Sequence, residues 1–247
     1  MYFKRIDELK DSLQSLRPLN ETELVRLREE FMIENTYDSN AIKGNALTLG
    51  ETALVLRQGV TVGGKHIKDH LEAIGHRDAF LYMTELAAVK SALSERVIRK
   101  LHSLVLMNDA KNKGRYRAVE AVIAGSPHTP PPHFLVHELM EALLIDYEGI
   151  KKFKHVIEAI AELHLRFEGI HPFIGGNGRT GRLIMNLELI KAGFLPINIK
   201  FTDRSKYYDC FDDYYAGSHT PNALTQLMLA YEEYEISRYA EQLGDRQ

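Results

Sequence analysis

Twelve residues, His171 to Arg182, read HPFIGGNGRTGR and combine a histidine, two arginines and four glycines. Residues of these types can hold an anion and move a proton. A glycine-rich turn that opens a helix presents unpaired backbone N–H groups and the positive end of the helix dipole, and both favour a phosphate. Asn177 adds an amide. Arg179 and Arg182, three apart on the first helical turn, can each fork two phosphate oxygens. His171 stands just ahead of the turn, where an imidazole can accept a proton from an attacking hydroxyl. The alternative is a capped helix carrying solvated arginines.

Two familiar nucleotide loops are contained in the same letters and are excluded by context. Gly176-x-Gly178-x-x-Gly181 satisfies the dinucleotide fingerprint, which requires a buried strand before it. The preceding AIAELHLRFEGIHPF has helical, not strand, periodicity. The phosphate-binding GxxxxGK(S/T) pattern fails as well, because Arg182 replaces the lysine and Leu183 the hydroxyl residue.

The elements that must position this stretch are mostly helical. Asn20 with Glu23 forms a capping pattern ahead of Leu24, Leu27, Phe31 and Met32, and that helix is expected to decay near YDSN. Thr48 and Glu51 form a second capping box, with Gly59 at a C-cap. Apolar residues at three-to-four spacing predict helices over about 66–90, 94–107, 136–149 and 154–169. Further helices are expected from NGRTGR to Gly193, over about 203–216 and over about 221–243. Around Ala118–Ala124 the alternation and β-branched residues predict one or two short strands, closed by Gly125-Ser126-Pro127 and followed by three prolines. The expected fold is mainly α, a helical bundle with a short β-hairpin flap at about 116–132. Residues 1–60 form its N-terminal helical region and 61–247 its core.

The chain of 247 residues, 45% hydrophobic and 26% charged, has the composition of a globular protein with a sizeable core. A formal net charge of −3 argues against nucleic acid or an anionic membrane as partner. One cysteine, Cys210, excludes an internal disulfide and reads as a core thiol, consistent with a reducing, cytoplasmic setting. The first residues show no signal-peptide pattern, and no uncharged run is long enough to span a membrane. His66 and His70 share a helix face beside Lys65 and Lys68, which disfavours a cation there. His137-Glu138 lacks the second histidine of HExxH, since Glu141 stands in its place.

HPFIGGNGRTGR resembles the signature of the Fic family, HPFx(D/E)GNGRxxR, and departs from it only at Gly175. SNAIKGN, from Ser39 to Asn45, resembles the family's inhibitory-helix motif (S/T)xxxE(G/N). KGRYRAVEAVIAGSPHTPPP resembles the flap hairpin that docks the target, and YYDCFDDYYAG the helix that completes the adenine pocket. The resemblance implies a Fic fold and transfer of AMP from ATP to a Ser, Thr or Tyr hydroxyl of a protein, with the chain itself as a further acceptor. It implies His171 as general base, with Gly175, Gly176, Asn177, Gly178, Arg179, Thr180, Gly181 and Arg182 around the phosphates. Phe173 would be a buried anchor. Tyr207 and Tyr215 would contact the nucleoside, with Tyr208 either core or contact. Val122, Ile123, Ala124 and Gly125 would form the flap edge, and Ser39, Lys43 and Gly44 the regulatory segment. Self-association is compatible with this reading.

Two departures carry their own implications. Gly175 stands where the family's Asp or Glu holds magnesium, so Mg2+ or Mn2+ arriving with ATP would rest mainly on phosphates and water. Charge stabilisation at the reacting phosphorus should then weaken, and a nucleotide-binding pseudoenzyme or a partner-docking module is the alternative. Lys43 stands where a glutamate would pair with Arg182. Autoinhibition should be weak, removal of AMP is not expected, and Lys43 would repel Arg182 or reach toward the phosphates.

Overall fold

The computed structural model describes residues 2–15, 21–123 and 125–244. Its α-helices are α1 (Tyr2–Ser15), α2 (Glu21–Ile42), α3 (Leu49–Gln58), α4 (Ile67–Ala88), α5 (Glu95–Val105), α6 (Val136–Ile150), α7 (Val156–Ile170), α8 (Asn177–Lys191), α9 (Arg204–Asp213) and α10 (Asn222–Gly244). None of them is long and apolar enough to cross a membrane.

Local chemistry sets several of the ends. Thr48 Oγ1 accepts from Glu51 N at 3.2 Å while Glu51 Oε2 accepts from Thr48 N at 2.8 Å, which starts α3 with a reciprocal cap. Gly59 ends α3 in the left-handed region at φ 67°. Asn20, expected to cap α2, lies outside the described residues.

α7 and α8 form the centre. Ile157, Ile160, Leu163 and Phe167 of α7 and Leu183, Met185, Leu187 and Leu189 of α8 are all buried, as suits helices enclosed on every side. α4 crosses both α5 and α8, while α10 closes the bundle against α1 and α7. Ile6, Met32 and Ile33 from the first two helices belong to the same core as α7 and α8.

Gly75 sets the α4–α5 approach. A Cβ there would be driven into the backbone carbonyl of Leu104 and lie 3.1 Å from Met107 Cγ. Gly75→Ala should therefore separate the helices and cost roughly 1–3 kcal/mol, despite alanine's better helix propensity. Thermal unfolding checks this, and an unchanged or raised midpoint contradicts it.

Two sequence expectations are corrected. α2 does not decay near YDSN but runs on to Ile42. Asp, Ser and Asn weaken a helix by bonding to nearby backbone, but here Asp38 and Ser39 have distant partners, and Asn40 accepts from Arg179 besides donating to Thr36 O. Asp38 Oδ1 and Oδ2 accept from Phe201 N at 2.9 Å and Asn198 Nδ2 at 2.8 Å, and Ser39 accepts from Arg182. The flap forms no strand among its described residues. The segment has a turn in which Ser126 N donates to Ile123 O, and among the described residues its two arms share no backbone–backbone hydrogen bond.

Arg117 holds the flap instead. Its side chain is fully buried. Nε donates to His171 O at 2.9 Å and Nη1 to Val119 O at 3.0 Å, while Nη2 donates to Pro131 O and, at 3.4 Å, to Ile170 O. Its backbone N–H reaches Pro172 O at 2.9 Å. One guanidinium thus ties both arms of the flap to the end of α7.

Candidate active site

A cleft of about 460 Å³ opens where the end of α2, the flap, the turn before α8, and α9 meet. A larger apolar groove of about 560 Å³ between α2, α4, α8 and α10 contains none of the residues singled out by chemistry.

His171 caps the C-terminus of α7 in the left-handed region, φ 48° and ψ 58°, an uncommon conformation for a residue with a Cβ. Its N–H reaches Phe167 O at 3.1 Å, and Arg117 holds its carbonyl. Burial depresses its pKa to about 4, and Arg117, Lys43 and His128 push in the same direction. Nδ1 is buried with no hydrogen bond, although the nearby Glu168 carbonyl opposes the shift. The imidazole is neutral at pH 7 and able to accept a proton.

Phe173 is fully buried and stacks on His102 with ring centroids 3.6 Å apart. His102 Nδ1 accepts from Gly114 N at 2.9 Å, so its proton is on Nε2 and is donated to Gly175 O at 2.9 Å. Asn177 Oδ1 accepts from Phe173 N and Nδ2 donates to Phe173 O, both at 2.9 Å. The Asn177 side chain therefore closes the loop, and only its backbone N–H remains for an anion. Gly176 turns the chain at φ 79° with His102 packed close by.

Arg179 and Arg182 are 2% and 5% exposed, which rules out solvated arginines on a capped helix. Arg179 Nη1 donates to Asn40 Oδ1 at 3.1 Å and lies 3.4 Å from Glu72 Oε1, while its Nε is buried and unpartnered. Arg182 donates from Nε to Ser39 Oγ at 3.0 Å, from Nη2 to Ser39 O at 2.9 Å and from Nη1 to Tyr207 Oη at 3.4 Å. The last turn of α2 thus positions both guanidinium groups. Lys43, just past that turn, lines the cleft, is exposed, and makes neither a hydrogen bond nor an ion pair to Arg182.

The other expected residues divide. Gly175, Gly178, Val122, Ile123, Gly125 and Tyr215 line the cleft with those above. Thr180, Gly181, Ser39 and Gly44 do not. Thr180 is buried, Gly181 lets Glu168 and His164 pack against α8, Ser39 supports Arg182 from behind, and Gly44 turns the chain at φ 95°. Ala124 lies outside the described residues. Tyr207 also lines the cleft, but is 1% exposed, with its hydroxyl 2.6 Å from His164 Nε2 and 3.4 Å from Arg182 Nη1. Tyr208, 47% exposed on the cleft wall, is the open ring. Tyr215 donates to Leu165 O at 2.7 Å and stacks on His128 of the flap, over Gly169, where a Cβ would collide with the phenol.

The sequence reading missed Arg117, His102, Asn40, Glu72 and Glu168. Glu168 lines the cleft one turn before His171, and burial pushes its carboxyl up to about 7. The donor set does not fit a protein-held magnesium. Gly175 brings no carboxylate and its carbonyl already accepts from His102. Among the described residues, Glu168 and Asp212 are the only acids lining the cleft, and no group of three or more His, Cys, Asp or Glu suited to a metal occurs.

What this arrangement defines is a cleft that joins a glycine turn, two buried guanidinium groups and a neutral imidazole on a helical scaffold. Residues 92–189 match the Fic/DOC family. The chain is 34% identical over 222 residues to the protein adenylyltransferase Fic of Nematostella vectensis, covering 88% of this chain and 51% of that protein. It is 34% identical over 206 residues to that of Drosophila virilis, covering 82% of this chain and 42% of the relative. It therefore spans about half the length of these curated relatives. A Fic domain containing signaling protein from Bacteroides thetaiotaomicron superposes over all of this chain and 98% of its own, with a TM-score of 0.86 at 27% identity. Fic-1 of C. elegans superposes over all of this chain and 73% of its own, with a TM-score of 0.87 at 27% identity. The chain belongs to the Fic/DOC family and has its mainly α-helical fold.

Proposed function

We propose that the cleft transfers AMP from ATP to a hydroxyl side chain of a protein. The observation that carries this is the convergence on one cleft of a neutral, partly buried His171 with the buried Arg179 and Arg182 at the start of α8. The target oxygen attacks the α-phosphorus and its proton passes to His171. The bond from that phosphorus to the α–β bridging oxygen breaks, and pyrophosphate leaves against the two guanidinium groups and the N–H groups of the glycine turn. Phosphate charge in the cleft opposes the cations that depress His171, so nucleotide binding strengthens the base. Tyr208 offers its ring to the adenine, and the extended flap presents backbone to the target. Magnesium, when it arrives with ATP, supplies charge neutralisation at the phosphates. With Gly175 in the signature, phosphates and water would hold it.

Arg182 is held by Ser39 and Tyr207 and not by an acid from the inhibitory motif, so the site is proposed to be open without activation. The absent carboxylate favours a second reading, a domain that binds nucleotide with little turnover. Mass spectrometry after incubation with ATP and Mg2+ or Mn2+ separates the two: a mass gain of one AMP supports the transferase, and ATP binding without that gain supports the second. A Cβ on Gly175 meets nothing within 4 Å, so Gly175→Asp should fold normally. Transfer by this variant in Mg2+ is expected to rise by at least about tenfold, or 1.4 kcal/mol of barrier. Equal rates in the two chains would sink this account of Gly175.

A further inference from the structure

We infer that Lys43 does for the phosphates in this cleft what a carboxylate-held divalent cation would do, so that the site binds ATP without metal. The inference rests on the nucleotide reading of the cleft and goes beyond it. A carboxylate with a divalent cation adds one net positive charge to a phosphate site. Gly175 with Lys43 adds the same single charge with no metal at all.

The geometry supplies a cation in the right place. The backbone of Lys43 is fixed, because its N–H donates to Asn40 O at 3.0 Å and the N–H groups of Gly44 and Asn45 donate to Ala41 O at 2.9 Å and Asn40 O at 3.1 Å. Its side chain is exposed and unpaired, and it lines the cleft with Gly175, Gly176, Arg179 and Arg182. Its charge is felt at His171, where it helps to hold the imidazole neutral. The two arginines bring less than two net charges to the cleft, since Arg179 is shared with Glu72. Asp212 also lines the cleft, and its carboxylate would repel the phosphates, so a free cation is of use there. An ammonium on a flexible stem, with three donors, meets phosphate oxygens as a point charge.

The test is titration calorimetry of ATP and of AMP against the full chain, in EDTA and in Mg2+. ATP is expected to bind in EDTA with an affinity within about threefold of that in Mg2+. Lys43→Gln should lose about tenfold for ATP in EDTA, with AMP affinity and thermal midpoint unchanged. Lys43→Arg should retain most of the wild-type affinity. Gly175→Asp should weaken ATP binding in EDTA and make it respond to Mg2+. ATP binding that needs Mg2+ and is indifferent to Lys43→Gln overturns the inference while leaving the nucleotide site standing. No ATP binding under either condition overturns the nucleotide reading itself.

Discussion

Replacing His171 with asparagine should lower AMP transfer by about 10²–10⁴-fold while leaving ATP affinity within about twofold. That is the usual range for loss of a general base. Asparagine is the informative substitution because it tolerates the left-handed backbone at this position better than alanine does. A fold-stability effect is therefore kept apart from a chemical one. The pH dependence is a second readout. Burial, with Arg117, Lys43 and His128 acting in the same direction, holds the free-enzyme pKa of His171 at about 4. The neutral form is the competent one, so activity is lost as pH falls through the folded pKa. The acid limb of kcat/KM should thus lie near pH 4, with a plateau through neutrality, and not near the 6.5 of an unperturbed histidine. Lys43→Glu removes a cation that depresses this pKa and should move that limb to higher pH. A limb at 6.5 in the wild-type chain, or transfer surviving His171→Asn, would remove His171 from the role of base.

How much of this was legible in the sequence depended on how far apart the interacting residues lie along the chain. His171, Arg179 and Arg182 are close together, and a turn followed by one helix fixes their geometry, so type and spacing sufficed to nominate them. The cap formed by Thr48 and Glu51 was readable for the same reason. Long-range partners were not. Asn40 meets Arg179 across 139 positions, and neither residue carries a local sign of the other. Because Asp38 and Ser39 are engaged by distant groups, their helix-breaking preference misled the reading of α2.

Tyr207 and Tyr208 illustrate a second limit. Adjacent residues on a helix point about 100° apart, so a shift of one position exchanges a buried ring for an open one. Both rings line the cleft, and the aromatic run carried no sign of which would be exposed there. The flap shows a third. Alternating β-branched residues give strand propensity, but a strand also needs a neighbouring backbone to pair with. Here the carbonyls of the segment are taken by a side chain, and a single arginine in a polar loop looks, by sequence, like any solvated cation.

That arginine carries the largest structural prediction. Arg117→Ala should destabilise the fold by about 3–5 kcal/mol, because removing a buried guanidinium leaves the carbonyls of Val119, Pro131, Ile170 and His171 short of their donor. For a chain of this length the thermal midpoint should fall by roughly 10 °C. Arg117→Lys should recover little of the loss, since an ammonium lacks the planar fork that reaches four acceptors in different directions. The effect on function should exceed what instability alone produces. Arg117 joins the flap to the carbonyl of His171, so its loss frees the edge that meets the target and the backbone that aims the base. Transfer to a protein target, measured well below the lowered midpoint, should fall at least tenfold while ATP affinity is largely kept, because Arg179, Arg182 and the glycine turn are held by α2 and His102 and not by Arg117. A variant that unfolds at the wild-type temperature, or one whose ATP binding fails in step with transfer, would show that the flap is anchored some other way.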